Sequence, residues 1–141
     1  GIAKNFYKRQ RPFLIDQGAI CQPAAEIADS YDYPSGHTTA GWTWATLLAE
    51  LAPDRAAAIL ARGRAFGESR VVCGVHNASA VEAGRLSASA TLSAERDVPA
   101  FKADFAAARA EIHALRRDPT TPKPAPALCS QEAALIAQRI G

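Results

Sequence analysis

Nowhere in this chain does a convincing half-buried β-strand of period two appear, and this constrains the fold more than any other feature. Alanine dominates the apolar set while Val and Ile are few, so the periodic stretches read as helical and the fold class is all-α, a helical bundle. With 141 residues and 48% apolar content the chain can build one domain with a real core. A charged fraction of 21% argues against wholesale disorder.

Residues 2–10 read as a helix that stops near Arg11, because Pro12 pushes the residue before it out of the α region. Residues 13–34, with Gln17, Gly18, Pro23, Asp29, Ser30 and Pro34, read mostly as loop. A helix over about 36–52 ends at Pro53, and Asp54 is placed to cap another over about 55–67. The ESRVVCGVH that follows fits either helix or a short irregular passage. Ser79 and Glu82 have capping-box spacing, which predicts a helix over about 80–94. Pro99 suits a first helical turn, and Phe101, Phe105, Ala108, Ile112 and Leu115 form a stripe expected to pack inward. The expected organisation is a main unit at 1–117, a proline-rich semi-rigid linker at 118–127, and a helical tail at 128–141 containing Leu135, Ile136 and Ile140.

A net charge of +2 with no basic cluster interleaved with aromatics excludes a nucleic-acid partner as the first reading. No run of 18 apolar residues exists and GIAKNFYKRQ lacks the apolar core of a signal peptide, so no membrane span is expected in this chain. The sequence has no Met, from which we expect an upstream segment to have been removed. Cys21, Cys73 and Cys129 lack the paired spacings of a zinc site, and no metal is expected. In an oxidising compartment the three would give one pair and a leftover thiol; in a reducing one, three buried thiols.

Three constellations carry chemistry. Lys4 and Arg11 lie seven residues apart, which on one continuous helix puts them on a common face with Lys8 between them. Alone, that is a solvated basic stripe; as an anion clamp, Lys supplies a point charge and Arg a planar fork suited to phosphate oxygens. Pro34-Ser35-Gly36-His37 precedes a helix, where Gly36 leaves its N–H open to close approach and the helix start adds unpaired N–H groups. Ser35 can donate to the same anion, and His37 can pass a proton to a leaving oxygen. In the third, SRVVCGVHNASA at 69–80, Arg70 can grip phosphate and His76 can attack phosphorus through a ring nitrogen.

The pattern K-x6-R-P from Lys4 to Pro12, P-S-G-H at 34–37 and S-R-x5-H from Ser69 to His76 resembles the three signature blocks of the acid phosphatase superfamily that includes type 2 phosphatidic acid phosphatases (PAP2) and vanadium haloperoxidases. YPSGHTTAGW, LAELAPDRAAAILARGRAFGESRVVCGVH and VEAGR are most similar to bacterial class A nonspecific acid phosphatases, over about residues 1–117. The resemblance implies an all-α fold of that type and a metal-independent, cofactor-free phosphomonoesterase acting on small-molecule phosphate esters. Lys4, Arg11, Arg70, Ser35 and the Gly36 N–H would cradle the phosphoryl group, His76 would become the phosphohistidine, and His37 would be the proton donor. Phosphate and vanadate would bind as product and inhibitor. A periplasmic or secreted address follows from the same resemblance and makes possible a disulfide between Cys21 and Cys73, whose segments both lead toward the proposed site.

Two departures stand out. The third block of the family ends with an Asp that orients the nucleophilic histidine; here that position is Ala80. Asn77, Ser79 or a backbone carbonyl are the candidate replacements, none negatively charged, and Glu82 is better explained by the capping box. Ala80 therefore opens the alternative of a phosphate-binding homologue with weak turnover, while a vanadium haloperoxidase is disfavoured by the flanking segments. The family also carries helices before the Lys block, so this chain is expected to lack N-terminal helices, which a separate chain can supply; a homo-oligomer also stays open.

Overall fold

The computed structural model describes residues 2–137, and among them every regular element is helical. The elements are α1 (Ile2–Tyr7), α2 (Pro12–Ile15), a 3-10 turn at Ala24–Glu26, α3 (Gly36–Leu51), a second 3-10 turn at Pro53–Arg55, α4 (Ala56–Val72), α5 (Ala78–Glu95), α6 (Pro99–Arg117) and α7 (Pro126–Ala137). Ile140, assigned above to the helical tail, lies outside the described residues.

Helix α3 is the centre of the bundle and packs along both α4 and α5. The buried residues there are small: Thr38, Ala45 and Ala49 on α3, Gly63 and Gly67 on α4, and Ala80, Gly84 and Ala88 with Val81 and Leu92 on α5. Small side chains let the helix axes come close, which favours dispersion contacts between backbones. Gly84 makes the limit explicit, because a Cβ there would stand 2.8 Å from the Ser35 carbonyl oxygen and 2.8 Å from Thr38 Cβ. The approach of α5 to the start of α3 therefore depends on a missing side chain.

A second apolar cluster holds the irregular N-terminal region. Ile27, Cys73 and Val75 are buried together, with Phe13 and Ile20 packed on them. Each fully buried Val or Ile contributes about 1.5–3 kcal/mol. This cluster pins the long loop between α2 and α3 against the α4–α5 turn, where Gly74 adopts a φ of 72° that glycine tolerates best.

Several local expectations change. The first helix ends at Tyr7, and Lys8 turns the chain with a φ of 47°. Lys4, Lys8 and Arg11 consequently do not share a helical stripe; Lys8 is exposed, and Arg11 sits in extended backbone at the start of α2. Helix α4 runs on through ESRVV to Val72. Asp54 makes no side-chain cap and instead pairs with Arg116 at 2.5 Å. The capping box is absent too: α5 begins at Ala78 after Asn77, Ser79 lies inside the helix, and Glu82 pairs with Arg85 at 2.8 Å. Side-chain caps lost here to arginines that offered full charges, Asp54 and Ser79 to distant Arg116 and Arg9, and Glu82 to Arg85 one turn on in the same helix. Helix α6 packs only its half-buried Phe101, Phe105 and Ile112 edge toward the bundle, and Leu115 stays exposed.

Candidate active site

The three blocks converge at the N-terminal end of α3. Ser35 caps that helix: its Oγ accepts from Thr38 N at 3.3 Å and from Thr38 Oγ1 at 2.9 Å, which leaves its own hydroxyl proton free to donate. The Ser35 N–H donates to the Ala80 carbonyl at 2.9 Å, locking the PSGH turn onto α5. Gly36 opens the helix on the exposed side, where an added Cβ would meet nothing within 4 Å. Packing within the chain thus does not demand a glycine there.

His76 follows the Gly74 turn and is 2% exposed. Its Nδ1 lies 2.8 Å from Asp32 Oδ1, and its Nε2 lies 3.2 Å from Arg11 Nη1. A guanidinium can only donate, so Nε2 carries a lone pair and the ring proton sits on Nδ1, facing the carboxylate. Burial lowers the His76 pKa; the Asp32 hydrogen bond and charge act against this, while Arg11 and Lys4 add to it.

Arg11 is 4% exposed and held by carbonyls rather than by a carboxylate: Nε donates to Ser30 O at 2.6 Å and Nη1 to Val75 O at 2.8 Å. Its pKa is lowered by burial and by Arg70, with Asp32 opposing. Lys4 Nζ donates to the Tyr31 carbonyl, and its pKa is lowered by burial and by Arg11. Arg70 Nη2 donates to the neutral Gln22 Oε1 at 2.6 Å, and its Nε is buried with no partner among the described residues. His37 stands at the rim beside Phe66, with ring centroids 6.5 Å apart. Its pKa is lowered by partial withdrawal from water and then by the charges of Arg70, His76, Arg11 and Lys4. Among the described residues no cluster of three His, Cys, Asp or Glu side chains has a geometry for holding a metal.

Three contributors, Asp32, Arg9 and Thr38, escaped the sequence, and Asn77 acts through Asp32 rather than on the ring. Asp32, fully buried, bonds the His76 ring where Asn77, Ser79 or a carbonyl were the candidates, and Ala80 contributes only its methyl and its carbonyl. Asn77 and Arg9 hold Asp32 in turn: Asn77 N at 3.2 Å from Oδ1, Asn77 Nδ2 at 2.9 Å and Arg9 Nε at 2.7 Å from Oδ2. Arg9, rather than Lys8, is the structurally engaged cation between Lys4 and Arg11. Thr38 fixes Ser35. Only Asp32's place two residues before Pro34 was a local signal, and it reads as ordinary loop chemistry.

Cys21 N donates to Cys73 O at 3.3 Å and to Cys73 Sγ at 3.2 Å, with both residues as free thiols. No described helix is long and apolar enough to cross a membrane.

Comparison with known proteins adds an independent line. The family described as PAP2 superfamily matches residues 1–96. An acid phosphatase of Zymomonas mobilis subsp. mobilis is 44% identical over 124 residues, covering 86% of this chain and 47% of the relative. A non-specific acid phosphatase of Salmonella typhimurium is 39% identical over 113 residues, 79% of this chain and 45% of the relative. One from Providencia stuartii is 37% identical over 117 residues, with 82% and 47% covered. The chain thus spans about half the length of the curated relatives it matches.

Proposed function

The chain belongs to the PAP2 superfamily, and from that premise we propose that it is the catalytic part of an acid phosphatase that hydrolyses small phosphate monoesters through a phosphohistidine, without a metal ion. The observation that carries this reading is the unprotonated Nε2 of buried His76 lying 3.2 Å from Arg11 Nη1, with Lys4 and Arg70 adding positive charge around Arg11 that calls for a negative partner. A phosphoryl group would be that partner and would give the buried Arg70 Nε an acceptor.

In the proposed reaction, Arg11, Arg70 and Lys4 bind the phosphoryl oxygens, with the Ser35 hydroxyl and the Gly36 N–H at the helix start completing the cradle. The Nε2 lone pair of His76 forms a bond to phosphorus as the ester P–O bond breaks in line. His37, protonated, gives its proton to the departing alkoxide. Neutral His37 then takes a proton from water, whose oxygen attacks phosphorus; the P–N bond breaks, and phosphate leaves with His76 restored. The cations carry the electrostatic stabilisation, so no metal is invoked, and phosphate or vanadate would occupy the same cradle as product or inhibitor.

The reading includes a periplasmic or secreted address, in which adjacent Cys21 and Cys73 would form a disulfide. Thiol titration of unreduced, denatured protein then finds one reactive cysteine, and three would refute the bridge. The function itself is tested by p-nitrophenyl phosphate turnover in EDTA beside His76→Ala. We expect turnover in the parent, a loss of at least about 10⁴-fold in the variant, and an acid-labile, base-stable ³²P adduct in the parent alone. Turnover that survives His76→Ala would sink the phosphohistidine.

A further inference from the structure

Position 80, where the family resemblance places an orienting carboxylate, holds a buried alanine methyl, yet the His76 ring still donates from Nδ1 to a carboxylate. That carboxylate comes from another part of the chain, 44 residues away, in the loop before PSGH. We propose that Asp32 is the positioning residue of the phosphohistidine chemistry, supplying from this loop the negative charge that position 80 lacks; the proposal rests on the phosphatase reading above.

The geometry separates Asp32 from a merely structural buried acid. Its Oδ1 receives His76 Nδ1–H at 2.8 Å and the Asn77 N–H at 3.2 Å, while Oδ2 receives Asn77 Nδ2 at 2.9 Å and Arg9 Nε at 2.7 Å, with the Arg9 Nη2 ion-paired to it at 2.7 Å. The backbone is tied as well, with Asp32 N donating to Arg9 O at 2.8 Å. Held on both oxygens and the main chain, the carboxylate has one orientation, and one of its oxygens is aimed at the ring. Arg11 fixes the same tautomer from the other side by donating to Nε2. When phosphorus bonds to Nε2 the ring becomes cationic, and Lys4, Arg11, Arg70 and His37 all disfavour that charge. Asp32 is the carboxylate that opposes them. Burial by itself would raise its pKa, but the bonds from His76 and Asn77 and the charge of Arg9 outweigh burial and bring it down to about 2. It is therefore ionised throughout the range in which the reaction would run.

Three measurements test this on the protein and its Asp32→Asn variant. First, ¹⁵N-histidine spectra of the unmodified protein should show His76 as the Nδ1–H tautomer with a downfield, hydrogen-bonded proton; an Nε2–H tautomer overturns the proposal, and this arm needs no variant to fold. Second, Asp32→Asn should lower kcat by about 10²–10⁴-fold, with KM for p-nitrophenyl phosphate and Kd for inorganic phosphate held within about threefold. It should also lower the His76 pKa by about one unit or more. A kcat within threefold of the parent, or an unmoved His76 titration, overturns it. Third, Ala80→Asp alone should give no gain, because Nδ1–H already has its acceptor; a tenfold rise in kcat would show that the ring lacks an effective carboxylate. If the parent has no phosphatase activity at all, the functional reading fails while the tautomer and the His76 titration still decide the place of Asp32.

Discussion

The same residue type lives two different lives in this molecule. On the outer faces arginines meet carboxylates: Arg96 Nη1 with Glu50 at 2.8 Å, Arg116 with Asp54 at 2.5 Å, Arg64 with Glu68 at 2.6 Å, and in each pair the arginine pKa is raised. At the head of α3, Arg11 meets carbonyls and Arg70 a neutral amide, and the pKa of Arg11 is lowered. Exposed pairs contribute about 0–1 kcal/mol because water screens them. The buried cations repel one another where screening is weak, so they store a preference for an anion. The site is thus an electrostatically incomplete region beside a surface that is locally balanced.

The strongest way to break the comparison is to remove one cation from each region. Arg11→Ala should reduce kcat/KM for p-nitrophenyl phosphate by about 10³-fold and, by stranding the Ser30 and Val75 carbonyls, destabilise the fold by about 2–4 kcal/mol in urea melts. A loss of less than tenfold would remove Arg11 from the cradle. Next in size is the response to inorganic phosphate. At a hundredfold excess over Kd, phosphate should stabilise the protein by about 2.7 kcal/mol, seen as a Tm rise of about 8 °C that mostly disappears in Arg70→Gln. Equal rises in both proteins would place the anion elsewhere.

The comparison also predicts a pH profile. In the proposed reaction His76 must be neutral to attack, and its lowered pKa keeps it neutral at more acid pH than an ordinary histidine. In the same proposal His37 must be protonated to serve the leaving group, and its lowered pKa means that this form is lost as pH rises, before the ordinary value of 6.5 is passed. Profiles of kcat/KM should therefore be bell-shaped with both limbs below 6.5, falling about tenfold per unit on the basic side. A rate that keeps rising above pH 7 would contradict these roles. The smallest expected effect is at the surface, where Arg96→Ala should cost less than about 1 kcal/mol and leave kcat/KM within about twofold. A larger loss there would blur the division between the regions.

Legibility followed sequence distance. The all-α class, the start of α3 at PSGH and the start of α6 at Pro99 were readable because proline, turn residues and 3.6-residue periodicity act within a few residues. The capping assignments of Asp54 and of Ser79 with Glu82 failed because Arg116, Arg9 and Arg85 offered those side chains charged partners. The common stripe of Lys4, Lys8 and Arg11 failed because Lys8 turns left-handed and breaks the helix. Asp32 was not readable at all, since its role depends on a fold that brings it to a ring 44 residues away.

Residue type and short spacing alone thus fixed the all-α class, the starts of α3 and α6, the family resemblance and the cationic and histidine residues. Tertiary structure decided which cations face a common point, which ring nitrogen is free, and that a carboxylate from the loop before α3 meets His76 where position 80 has only a methyl. The physical reason is that charge and hydrogen-bond energies depend on separation and direction in space, and those are settled only when the small-residue seams of α3, α4 and α5 close.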